Sequence, residues 1–162
     1  MPSVIAAEAE PRVRPLEIVG GGSAQFRVKG DDDNSIQGYG HEAGRAELRR
    51  AAVAVHGYYA ALARERWTDA CGHLAPATAA GATRLAASTR ARGCAAALAA
   101  LFGPVTPAEG REATAVDAVS LRRRGNHGFF LYRGAGGKPY FISLELLHGK
   151  WAVSSLSPTG LP

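Results

Sequence analysis

The apolar positions divide the chain into stretches of different period. From Glu42 the repeat is about 3.6 residues: Leu48, Ala52, Val55, Tyr59 and Leu62 step along one face, with Ala51 and Tyr58 widening it. Arg45, Glu47, Arg49, Arg50 and Arg64 populate the flanks, and the stretch predicts one long amphipathic helix. Trp67 opens a second segment in which Trp67, Ala70, Cys71 and Leu74 share a face until Pro76 interrupts it. The Ala-rich run that follows predicts short helices over 78–88 and 91–102. The second buries Cys94, Leu98, Leu101 and Phe102 and ends at Gly103-Pro104.

In the last fifty or so residues the period falls to two. ATAVDAVSLRRR alternates Val116, Ala118 and Ser120 against Ala115, Asp117, Val119 and Leu121, and GFFLYRG, KPYFISLELL and KWAVSSL follow as three further strands. The turns between them, RGNHG, GAGGK and HG, are short enough for an antiparallel meander. On the third strand Tyr140, Ile142, Leu144 and Leu146 share one face, while Phe141, Ser143, Glu145 and Leu147 make a more mixed one. Helices followed by a meander predict a two-layer α+β fold. The helices cover one sheet face and leave the other to curl around a pocket or meet a partner.

Residues 1–43 have no sustained period. VGGGSAQF and KGDDDNSIQGYGHEAG read as parts of a tail and a loosely structured arm, with LEIVG and AQFRVK as candidate short strands and Phe26 and Val28 on one face. DDDN reads as a solvated acidic turn, because it lacks the Gly and terminal Glu of a calcium loop. The expected organisation is an arm over 1–43, a domain over 44–157 and a tail over 158–162.

Composition adds limits. At 162 residues and 46% hydrophobic the chain supports one core and is not wholly disordered. No run approaches the roughly 18 apolar residues that a bilayer requires. Nineteen Lys and Arg against fourteen Asp and Glu leave a formal charge of +5, almost all of it Arg, which permits an anionic partner without identifying one. The opening segment has no basic cluster ahead of an apolar core, so it does not read as an intact secretory signal. Cys71 and Cys94 are too far apart in sequence for a metal-ligand pair. Two readings of them stay open at this level: lone buried thiols in a reducing compartment, or one disulfide stapling adjacent helices in an exported protein.

The order of elements, with HGYYAALARERWTDACGHL in the long helix and GKWAVSSL in the last strand, resembles the nuclear transport factor 2-like cone fold. The resemblance covers roughly residues 44–157 and extends to the SnoaL-like and the secreted or lipid-anchored branches of that superfamily. It implies N-terminal helices on a curved antiparallel sheet, a Cys71 to Cys94 disulfide, an extracytoplasmic setting, and a cone-shaped cavity bordered by Tyr58, Tyr59 and Trp67. It also implies homodimerisation through the open sheet.

Cone-fold proteins include isomerases, dehydratases and epoxide hydrolases that keep an Asp or His in the cavity, together with many binding domains, so fold alone leaves function open. The carboxylates available for acid-base work are Asp69, Asp117 and Glu145, with Tyr58 or Tyr59 as orienting donors, and such chemistry requires one of them desolvated. Asp117 reads more simply as a solvent-facing strand residue, and Glu145 as half of a cross-strand ion pair. His41, His56, His73, His127 and His148 are scattered and have no acid at relay spacing, so neither a catalytic triad nor a zinc site is expected. GGGS and RGAGGKP lack the context of a phosphate loop and read as turns, and no cofactor is expected. Arg122, Arg123 and Arg124, near Phe129, Phe130, Tyr132 and Tyr140, form a basic patch able to meet a polyanion. They read more simply as a solvated hairpin edge, and no specific nucleic acid is expected. The resulting expectation is an extracytoplasmic domain that binds a small apolar ligand or a protein and has no defined catalysis. The alternative is an isomerase, dehydratase or hydrolase acting on a small apolar molecule. Free thiols would instead indicate a cytoplasmic protein.

Overall fold

A computed structural model describes residues 12–30 and 34–162; the acidic part of the DDDN turn lies outside the described residues. The elements in chain order are β1 (Glu17–Ile18), β2 (His41–Glu42), α1 (Arg45–Ala63), α2 (Trp67–Gly72), α3 (Pro76–Leu85), α4 (Gly93–Phe102), α5 (Pro107–Ala113), β3 (Asp117–Arg124), β4 (His127–Arg133), β5 (Pro139–Leu147), β6 (Lys150–Val153) and β7 (Thr159–Gly160). The class is α+β, as the two periods predict.

The long helix and the four-strand meander follow from their apolar periods. α1 buries Leu48, Ala51, Ala52, Val55, Tyr58 and Tyr59 against the sheet and turns its charged residues outward. The helix α5 was not anticipated by the period analysis. Its start is a capping box, in which the Thr106 hydroxyl accepts from the Glu109 amide while the Glu109 carboxylate accepts from the Thr106 amide, with Pro107 following at the first helical position.

The sheet is mixed, not purely antiparallel as the resemblance implied. β3, β4 and β5 pair antiparallel in sequence, whereas β1 runs parallel to β3 with Glu17 beside Asp117. β2 pairs with the far end of β3, and β6 and β7 pair with opposite ends of β5. Residues 158–162 therefore contribute an edge strand. The strict alternation expected on β3 breaks between Ala118 and Ser120, where the register shifts. Val116, Ala118 and Leu121 face the helical layer, Val119 packs with Phe26 and Leu131 on the outer face, and Ser120 donates to Glu42. A bulge of this kind bends a strand and tightens its twist, which suits a curled half-barrel sheet.

The outer sheet face is covered by the arm. The three-Gly run turns the chain through positive φ at Gly20, Gly21 and Gly22, a region that side chains disfavour. AQFRVK does not form the expected strand: Ser23–Phe26 makes a 3-10 turn that puts Phe26 on Val119 and Leu131 and leaves Val28 half-buried. Arg122 fastens this layer by donating to the carbonyls of Tyr39 and Gly40 at 2.8 and 2.9 Å. Arg124 lies over the Tyr39 ring. Arg123 pairs with Glu47 and stacks over Trp151. Arg122, Arg123 and Arg124 thus each contact the arm, α1 or β6, while Arg124 and the turn through Gly125, Asn126 and His127 are exposed.

Cys71 and Cys94 are joined, with sulfurs 2.11 Å apart, and tie α2 to α4. No helix among the described residues is long and apolar enough to cross a membrane. A bridge closing this loop stabilises by about 3 kcal/mol in the chain-entropy treatment. The Cys71→Ser/Cys94→Ser variant is therefore expected to lose about that much unfolding free energy in a urea titration. Intact mass after alkylation without reductant should show no modified thiol, and two alkylated cysteines would contradict the bridge.

Candidate functional site

The space between α1 and the concave sheet face, where the resemblance placed a cavity, is filled by side chains. Tyr58 is wholly buried and donates to the Leu156 carbonyl at 2.8 Å. Tyr59 shares a hydrogen bond of 3.1 Å with Tyr132, which stacks in turn on Phe130 and Tyr140. Burial pushes the phenols of Tyr58, Tyr59 and Tyr132 far above the ordinary value, so none serves as a base. Beneath α5 a small cleft of about 170 Å³ reaches Tyr132 and Tyr140. Trp67 is half-buried at the junction of α2 and α4, beside an open cleft lined by Ala95, Ala96 and Ala99.

The three candidate carboxylates do not converge. Asp69 is exposed on α2. Asp117 sits at the start of β3 between Glu17 and Arg133 in the sheet register, and Glu145 lies on β5 opposite His127. No ion pair involving Glu145 occurs among the described residues. Those residues also contain no group of three or more His, Cys, Asp or Glu placed to hold a metal ion.

The large concave surface lies on the opposite side of α1. Two open clefts of about 820 and 700 Å³ share Val53, Gly72 and His73 and form one continuous groove. Its floor is the outward stripe of α1, with Arg49, Val53, Gly57, Ala60 and Arg64 following at helical spacing. One end is walled by the arm at Val13–Leu16 and the other by the turn between β5 and β6 with Trp151. The arm wall is fixed by His56, whose Nε2 donates to the Arg14 carbonyl at 2.6 Å, and by an ion pair of 2.6 Å between Arg12 and Glu65. Small residues at Gly57 and Ala60 give the groove its depth.

His73 stands in the middle of this groove. Its backbone carbonyl accepts from Val153 at 2.7 Å, which holds the end of α2 on β6. Its ring lies so close to α1 that a Cβ on Gly57 would fall 2.7 Å from Cε1. Partial burial lowers the imidazole from its ordinary 6.5, and the Asp69 carboxylate partly offsets that by favouring the charged form. Neither His73 nor the groove cations Arg14, Arg66 and Lys150 were singled out from sequence as site residues. They come from the arm, α2 and β6, and only the fold brings them together.

Compared with protein-family models, with curated proteins and with solved structures, the chain matches none.

Because the folded His73 titrates below its unfolded value, its contribution to stability is present above pH 6.5 and is lost as pH falls toward the lowered value. Asp69→Asn should move the His73 titration further down. Gly57→Ala should push the ring outward and move it back toward 6.5. Both shifts are read by NMR of the imidazole, and unchanged titration in both variants would contradict this packing.

Proposed function

We propose that the chain is an extracytoplasmic binding domain without catalysis of its own, and that its binding surface is the groove over α1. The observation that carries this reading is the division of the molecule into a filled interior and an open, cation-lined outer groove. An enclosed site of the isomerase or hydrolase kind needs a desolvated carboxylate facing a substrate-sized cavity. Asp69 lies on α2 while Asp117 and Glu145 lie at opposite ends of the sheet, and the phenols of Tyr58 and Tyr59 are engaged with Leu156 and Tyr132. A groove with an apolar floor and convergent polar groups is the usual form of a recognition surface.

The extracytoplasmic setting is supported by the Cys71 to Cys94 bridge, since such bonds persist in oxidising compartments. A cone-type ancestry is compatible with the curled half-barrel sheet behind a long helix. The parallel β1 and the filled interior are departures from that pattern.

The test is an amide-correlation NMR screen of the folded chain against mixed small molecules and short peptides. Shifts are expected to gather at Val53, Gly57, His73 and Lys150. Shifts gathering at Tyr132, Gly134 and Tyr140 instead would place binding at the small cleft beneath α5 and overturn the proposal.

A further inference from the structure

The charges of the groove specify what it takes. Six exposed cations line it, Arg14, Arg49, Arg50, Arg64, Arg66 and Lys150, against one carboxylate, Asp69. The groove therefore carries a local formal excess of five positive charges. None of the six makes an ion pair with a described residue, in contrast to Arg12 and Arg123, which are paired with Glu65 and Glu47. Five of the six are Arg, whose planar donor fork suits carboxylates bound two bonds at a time.

The floor adds a second requirement. Val53 is 58% exposed at the centre of the groove, with Ala54, Leu74 and Trp151 beside it. Leu74 and Trp151 are already buried, and a simple anion would leave the exposed Val53 in water. A bilayer is flat and does not enter a groove walled by the arm and by the β5–β6 turn. From Arg49 to Arg64 the stripe on α1 runs roughly 22 Å at the helical rise. That is the length of about six or seven residues of extended chain.

Resting on the groove as the binding surface, we infer that its ligand is an extended acidic segment of another protein, with carboxylates alternating with apolar side chains. The carboxylates meet the Arg forks along the rims while the apolar side chains cover Val53 and its neighbours. Strongly charged contacts of this kind speed association and weaken as salt rises.

The experiment is a fluorescence-anisotropy titration of the folded chain with a labelled peptide, Glu-Leu-Glu-Leu-Glu-Leu-Glu. Saturable binding is expected, weakened by salt. Affinity should fall at least about tenfold in Arg49→Ala/Arg50→Ala and again in Arg64→Ala/Arg66→Ala, each loss read as transferred binding free energy. Arg84→Ala/Arg90→Ala removes the same charge outside the groove and should leave affinity unchanged. Replacing Glu by Gln, or Leu by Ser, in the peptide should each weaken binding severalfold. Equal affinity in all three double variants would overturn the inference, as would indifference to the Leu-to-Ser change. Two further probes separate this inference from the reading beneath it. If phosphatidylglycerol vesicles or tripolyphosphate bind, lose binding in Arg49→Ala/Arg50→Ala, and the peptide does not bind, the acidic-segment inference fails while the groove stands. If the peptide binds with its NMR shifts outside the groove, both fail.

Discussion

Two adjacent tyrosines on one helix, pressed into the concave face of a curled sheet, set the terms for the rest of the molecule. Tyr58 and Tyr59 bring apolar rings to the core and hydroxyls that must be paired there, since a buried polar group left without a partner costs about 1–3 kcal/mol. Tyr59 finds Tyr132 on β4, and Tyr58 finds the Leu156 carbonyl in the segment that returns toward β7. The pairing draws the C-terminal strand back onto β5 and stacks Phe130, Tyr132 and Tyr140 behind it. The interior is occupied in this way, and the two broad clefts that form the groove lie on the other side of α1.

The same economy governs charge. Arg122 holds two arm carbonyls, Arg123 holds Glu47 and covers Trp151, and Arg124 covers Tyr39. Glu42 in turn accepts from the Ser23 amide and from Ser120. These contacts bind the arm to the outer sheet face, over the surface that was open in the meander pattern. Charges used as clamps are satisfied within the molecule, whereas the six cations over α1 make no ion pair with a described residue.

Much of the architecture was legible in the chain because burial imposes a period. α1 and the strands β3 to β6 carry apolar repeats and lie where those repeats put them, apart from the register shift within β3. Elements without such a repeat were harder to read. α5 is signalled only by Thr106-Pro107-Ala108-Glu109, a capping pattern without a strong apolar face. The bulge at Val119 is invisible to an alternation that continues past it. β1 is two residues long, and its parallel partner lies a hundred positions away. The groove was illegible for a related reason. Arg14, Arg49 and Lys150 come to line one groove only after folding, whereas Arg122, Arg123 and Arg124 stand out by adjacency although they are engaged within the molecule. The sequence leads to the expectation that Tyr58 and Tyr59 border a cavity, and it does not announce that the interior closes around them.

The closed interior is the claim on which the functional reading turns, and tyrosine ionisation measures it directly. Spectrophotometric titration into alkali, with circular dichroism recorded on the same samples, separates phenols that ionise in the folded protein from those released by unfolding. Tyr58, Tyr59 and Tyr132 are held well above the ordinary 10.0, so the stability they confer is complete below that pH and is lost as pH rises past it. These three phenols are expected to ionise only together with loss of the folded signal. Their ionisation near pH 10.0 in protein that remains folded would mean that solvent reaches the space beneath α1, and would contradict the account.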